Sequence, residues 1–383
     1  MLQTLRLSLR SLRKARAFTL VAILTLAVGI GATTAIYSVL HALVIQPFQL
    51  PQSDQLVHVW SGDSWSLSPA DSLDLRAEAK SFSAFGVYQP ATVNIGRENA
   101  QSYAAIRGTA DVLRAFGVPP LYGRYFEPSD DAVGAASVVI LSYSLWEEQF
   151  AGDPSAIGRK IHLEGRDAVV VGVMPRTFEF VSPWMRTEPC SLWLPLSFDE
   201  KTKATRDSHF LLGIARLRPG VTVGSADAEI KAIGARLTKM YPNSNTGKRM
   251  LVRSLYTEMT KDLAKQVWLL FGAVALVLLV ACANVASMLL ARSAKRQSEF
   301  AVRVALGASR RQVMQLVLVE SVLLAIAGSA LGVVFAFWGV EILRAISPVS
   351  EMRKAAMGLN FNALSFALSA AALTALLAGI SPA

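Results

Sequence analysis

Four apolar runs punctuate the chain. Residues 17–45 carry no charge, residues 266–291 lie between Lys265 and Arg292, residues 313–340 are broken only by Glu320, and residues 355–383 are uncharged throughout. Each is longer than the roughly 20 residues a helix needs to cross a bilayer, so the pattern predicts four membrane spans. The first run has a basic front end, but it is too long for a signal-peptide core and no small-x-small cleavage site follows. It reads as a retained signal anchor.

The long stretch 46–265 has a different pattern. Ser68-Pro69-Ala70-Asp71 is a helix start, with a serine cap, proline in the first turn and an acid three residues on. Residues 138–141 predict a short buried strand, and residues 161–173 a hairpin turning at Gly165. Residues 191–196 and 210–217 predict two more strands. Residues 225–241 form an amphipathic helix whose apolar stripe is Ile230, Ile233, Leu237 and Met240. Asp227 and Glu229 lie toward its N-terminal end, Arg236 and Lys239 toward its C-terminal end. Strands and helices in irregular order give an α+β domain. The fold class is therefore a multi-pass α-helical membrane protein with a large α+β domain between spans one and two.

Charge sets the expected orientation. The chain has 38 Lys+Arg against 28 Asp+Glu, a net charge of +10. Basic and acidic residues nearly cancel over 46–262, so the excess lies beside the spans. Arg6, Arg10, Arg13, Lys14 and Arg16 precede the first; Arg292, Lys295, Arg296, Arg303, Arg310 and Arg311 follow the second, with Glu299 the one acid among them. This pattern is topogenic, and it argues against nucleic acid as a partner. By the positive-inside rule the N-terminus (1–16) and the segment 292–312 are cytoplasmic, while 46–265 and the short loop 341–354 are outside.

Candidate chemistry is sparse. The fragment Asn245-Thr246-Gly247-Lys248-Arg249 lacks the first glycine and the hydroxyl residue of a phosphate-binding loop. His41, His58, His162 and His209 have no ligand spacing, so no metal or other cofactor is expected. Asp130-Asp131 and Glu147-Glu148 read as solvated surface rather than acid/base pairs. Cys190 and Cys282 lie in different regions and cannot meet within one chain. Within the spans, Glu320 is an intramembrane carboxylate, expected to take a structural partner such as Arg310, Arg311 or Asn284 rather than to relay protons. Asn284 can hydrogen-bond across helices, and Gly328 with Gly332 forms a small-xxx-small face. Residues 298–306 can form a short helix ended by Gly307, either an interfacial anchor or a docking element.

Several runs carry a family resemblance. Ala281-Cys282-Ala283-Asn284-Val285-Ala286, then Glu299-Phe300-Ala301-Val302-Arg303-Val304-Ala305-Leu306-Gly307-Ala308-Ser309-Arg310, then Glu320-Ser321 resemble the FtsX/MacB-type ABC transporter permeases. Leu141-Ser142-Tyr143-Ser144-Leu145-Trp146, Ile157-Gly158-Arg159, Gly172-Val173-Met174-Pro175, Trp193-Leu194-Pro195-Leu196 and Gly220-Val221-Thr222 resemble the MacB-like periplasmic core domain. The chain is similar to one half of the duplicated permeases of soil bacteria.

The resemblance implies a non-catalytic subunit of the inner membrane that pairs with a separate ABC ATPase and with a second permease half or a copy of itself. A periplasmic adaptor is a further implied partner. Glu299, Phe300, Arg303, Leu306, Gly307 and Arg310 would belong to the coupling helix that touches the ATPase. The external domain would carry an inserted distal part near 90–205. Its motion would serve export; the alternative is an FtsX-like regulator that passes ATPase-driven motion to an external partner without transport. The family pattern continues beyond the fourth span, whereas this sequence stops at Ser381-Pro382-Ala383. It is thus either a fragment or a chain with a weakly anchored last helix.

Overall fold

The run 17–45 folds as the helix Arg16–Leu40, extended by a π-helical turn at His41–Ile45. A separate amphipathic helix, Leu2–Lys14, precedes it. At Ala15 the backbone leaves helical geometry (φ −103°, ψ 60°), and the Thr19 hydroxyl donates to the Leu12 carbonyl at 2.8 Å, tying the corner. The computed structural model describes residues 2–46, 50–62, 66–97, 100–182, 189–296, 305, 310–347, 354 and 357–380. They fall into two units: Met1–Pro47 with Asp262–Ala383, and Phe48–Lys261.

In the first unit, the stretches Arg16–Ile45, Leu263–Lys295 and Leu318–Ile346 are long and apolar enough to cross a membrane. They belong to the helices Arg16–Leu40, Leu255–Lys295 and Arg310–Ile346. The fourth apolar run, expected to span, holds a shorter apolar helix, Phe361–Leu373, by the same measure. Asn360 accepts the Ala363 backbone N–H at 3.0 Å and caps the helix Phe361–Ile380. Leu26, Ile30, Val285, Leu289, Leu324 and Ala367 share one buried cluster. The outer faces stay apolar and uncovered, with Leu269 77% and Leu368 72% exposed, as suits lipid rather than water.

The second unit is built on one mixed sheet. Its strands are β1 (Leu56–Ser61), β2 (Phe82–Ile95), β3 (Gln101–Gly108), β4 (Tyr122–Gly123), β5 (Val138–Leu141), β6 (Lys160–Leu163), β7 (Arg166–Val173), β8 (Leu192–Pro195), β9 (Leu212–Leu217) and β10 (Met250–Ser254). The order is β10-β1-β9-β2-β3-β8-β5-β7-β4, with β6 pairing β2 and β7. Pairing is antiparallel except for β3 with β8 and β5 with β7.

Alternation sorts the side chains to two faces. Val57, Val59, Phe85, Val87 and Ala215 pack with Ile230, Ile233 and Leu237 of the helix Val223–Met240. Leu56, Trp60, Tyr88 and Ile214 pack on the other side with Val112 and Phe116 of the helix Asp111–Phe116. That helix comes close because Gly86 has no side chain: a Cβ there would stand 2.6 Å from the Val112 nitrogen. A third core gathers Val93, Leu141, Trp146, Leu163 and Val170.

The helix at Pro69–Glu78 starts at its serine, whose hydroxyl accepts the Asp71 N–H at 3.1 Å. The 161–173 hairpin turns through Glu164 and Gly165, both left-handed at φ 48° and 79°. Two expectations need correction. Met240 is 55% exposed, because the buried stripe of Ile230, Ile233 and Leu237 continues into Tyr241, which packs on the same core, and not into Met240. Asp131 is not solvated surface. It accepts the Ala110 N–H at 2.8 Å, and burial pushes its carboxyl up to about 6.

Candidate functional site

Val285, Leu289, Arg292 and Arg296 recur at helical spacing, so the buried stripe of the helix Leu255–Lys295 runs on into two arginines. On the helix Arg310–Ile346, Glu320, Leu324, Gly328 and Gly332 form a stripe at intervals of four. The ends of the two stripes meet. Arg296 Nη1 donates to Glu320 Oε1 at 3.1 Å, and Arg292 Nη1 stands 3.9 Å from Glu320 Oε2. The carboxylate is 3% exposed, so it needs such partners.

The amphipathic N-terminal helix supplies the third side. Arg292 Nη2 donates to the Ser11 carbonyl at 2.8 Å and to its hydroxyl at 2.6 Å, while Arg296 Nη1 reaches the same hydroxyl at 3.1 Å. The Arg292 guanidinium also lies 4.7 Å from the centre of the Phe18 ring, a cation–π contact. Three helices are thus pinned together.

The glycines close the first helix against the third. A Cβ on Gly328 would stand 2.7 Å from Leu26 Cβ, and one on Gly332 3.1 Å from the Ala27 carbonyl. The two backbones therefore touch along this face. Asn284 is exposed, and its side chain makes no hydrogen bond among the described residues. Of the coupling candidates, Glu299, Phe300, Arg303, Leu306 and Gly307 lie outside the described residues. Arg310 opens the third apolar helix, and its side chain is likewise outside them.

Arg292, Arg296 and Ser11 did not stand out as site residues in the sequence, where the arginines counted only as flanking charge. Their signal was the spacing, which continues the buried face of Val285 and Leu289. The second unit holds another buried charge. Asp71, fully buried, accepts from Arg206 at 2.7 Å and from Asn245 at 3.0 Å. The Arg206 guanidinium stacks 3.7 Å from the centre of the Tyr241 ring. Both cysteines are buried, and burial pushes the Cys190 thiol up.

The family model described as "MacB-like periplasmic core domain" matches residues 19–233, and that described as "FtsX-like permease C-terminal" matches residues 271–383. The chain belongs to the MacB/FtsX-like family of ABC transporter permeases. This permease is 27% identical over 342 residues to the macrolide export ATP-binding/permease protein MacB of Chromobacterium violaceum, a match covering 86% of the chain and 50% of that protein. It is 25% identical over 312 residues to the pyoverdine export ATP-binding/permease protein PvdT of Pseudomonas syringae pv. tomato, covering 76% and 42%. The permease thus spans about half the length of the curated relatives it matches. Among solved structures, the periplasmic region of MacB from Actinobacillus actinomycetemcomitans aligns with 56% of the permease and 92% of that chain, at 14% identity and a TM-score of 0.39.

Proposed function

We propose that the chain is the transmembrane subunit of an ABC export complex, with four spans, and that ATP hydrolysis in a partner ATPase moves the domain 46–265. The carrying observation is the cluster of Ser11, Arg292, Arg296 and Glu320. A segment whose two flanking helices are pinned by a buried ion pair passes a push to both at once. A loose segment would absorb it.

In this reading Phe300 and Leu306 are the apolar anchors of the ATPase contact, and Glu299, Arg303 and Arg310 its charged rim. Gly307 ends the coupling helix. The permease does no ATP chemistry itself; a second permease half or a copy of itself completes the membrane part. The N-terminus and 292–312 face the ATPase side, the cytoplasm.

The test uses the permease together with the ATPase that co-purifies with it. Phe300→Ala should weaken docking by about 1–2 kcal/mol, roughly tenfold in affinity, if the ring fills a pocket. Thermal unfolding of the permease alone should not change. Undiminished pull-down and undiminished stimulated hydrolysis would leave the segment as an interfacial anchor and overturn the reading.

A further inference from the structure

A groove of about 720 Å³ runs between the N-terminal corner and the third apolar helix, within the first unit. Leu12, Leu20, Ile23, Leu323, Ile326 and Ala330 line it. Its rims are open: Leu20 is 62% exposed and Ile326 61%. Both rims stand on helices apolar enough to cross a membrane, so the groove opens onto hydrocarbon rather than water.

One end is not apolar. Arg13 and Arg16 line it from either side of the corner at Ala15, which the Thr19–Leu12 hydrogen bond holds. Both are exposed, and neither makes an ion pair among the described residues. They differ in this from Arg292 and Arg296, whose guanidinium groups are engaged by Glu320 and Ser11. Two uncommitted cations at the end of a lipid-facing apolar groove match one occupant: an amphiphile with an anionic head and an acyl tail.

We propose that this groove binds an anionic glycerophospholipid. The phosphate sits between Arg13 and Arg16, and an acyl chain lies along Leu12, Leu20, Ile23 and Ile326. The bound lipid then wedges the N-terminal helix against the helix that carries Glu320, so lipid occupancy stabilises the pinned arrangement.

The test measures phospholipid retained by the full chain after detergent exchange, by native mass spectrometry, with phosphatidylglycerol and phosphatidylcholine supplied in equal amount. Wild type should retain phosphatidylglycerol about 30-fold in preference, from two arginines near an anionic head. Arg13→Gln with Arg16→Gln should bring that preference close to parity without changing the thermal unfolding of the delipidated protein, since both side chains are exposed. Ala330→Phe, which fills the groove, should remove both lipids. Glycerol 3-phosphate at matched concentration should not displace the bound lipid, because it lacks the tail. Three results would each overturn the proposal: unchanged preference in the double variant, displacement by the headgroup alone, or ready disulfide formation between copies carrying Leu20→Cys and copies carrying Ile326→Cys. The last would make a second chain the occupant.

Discussion

Arg296, at the end of one apolar helix, and Glu320, inside the next, meet at 3.1 Å, and the glutamate is buried. Their pairing decides what a substitution does. Removing one partner leaves an uncompensated buried charge, which costs more than the intact pair contributes.

Glu320→Leu should therefore destabilise the first unit by about 3 kcal/mol, since it strands both Arg292 and Arg296. Glu320→Gln keeps an acceptor for Arg296 and should lose less than half of that. Thermal unfolding in detergent reads both. A Gln variant that folds as wild type yet loses all pH-dependent activity would instead assign Glu320 to proton transfer.

The helix contact at Gly328 has a built-in control. Gly328→Ala places a methyl 2.7 Å from Leu26 Cβ and should cost about 1–3 kcal/mol by overpacking. Gly272, on the helix Leu255–Lys295, has open space around it, with nothing within 4 Å of where a Cβ would stand, so Gly272→Ala should be neutral or stabilising. Equal effects in thermal unfolding would contradict the packing.

In the second unit, Asp71→Ala should destabilise by about 3–5 kcal/mol, because Arg206 and Asn245 lose a buried acceptor. Asp74 also binds Arg206 at 2.7 Å but is 31% exposed, so Asp74→Ala should cost about 1 kcal/mol. Denaturant titration followed by tryptophan fluorescence separates the two.

His58 makes stability depend on pH. It sits on β1 with neither ring nitrogen hydrogen-bonded among the described residues, and burial pushes its imidazole down to about 3. Its pKa is lower folded than unfolded, so the unfolded chain takes up the proton first. Stability is fully present above the unfolded value of about 6.5 and falls as pH drops below it. Between pH 7.5 and 4.5 wild type should lose about 2–3 kcal/mol through this group. His58→Phe should abolish that part of the slope. Melting temperatures of both proteins at the two pH values isolate the difference, since other groups titrate alike in each.

The charge pattern makes a prediction about sidedness. With Cys190 and Cys282 replaced by serine, Ser129→Cys should react with an impermeant thiol reagent from outside intact cells, and Ser298→Cys should not. Labelling at position 298 would invert the orientation read from the flanking arginines.

The sequence made some elements plain and hid others. The apolar helices, the capped start at Ser68 and the hairpin around Gly165 carried their own local signals. β1 did not, since all six of its residues are buried and Leu-Val-His-Val-Trp-Ser shows no alternation. β2 was obscured by Gly86 and Pro90, which read as breakers; the glycine admits a helix, and Pro90 lies past Tyr88, where β9 has already left the strand. The membrane stripe of Glu320, Gly328 and Gly332 could be read from spacing, but the partners of Glu320 could not. They come from another helix, where Ser11 also holds them, and only tertiary packing selects Arg292 and Arg296 among so many flanking cations.

β1 and β10 are neighbours in the sheet, with Val57 opposite Ser254. The chain thus enters and leaves the sheet domain at two points about 5 Å apart. Geometrically the domain is a detachable cassette. Any module whose own ends fall on adjacent antiparallel strands can be spliced in at this pair without a linker. Chimaeras cut at Val57 and Ser254 are the natural way to exchange one such sheet domain for another.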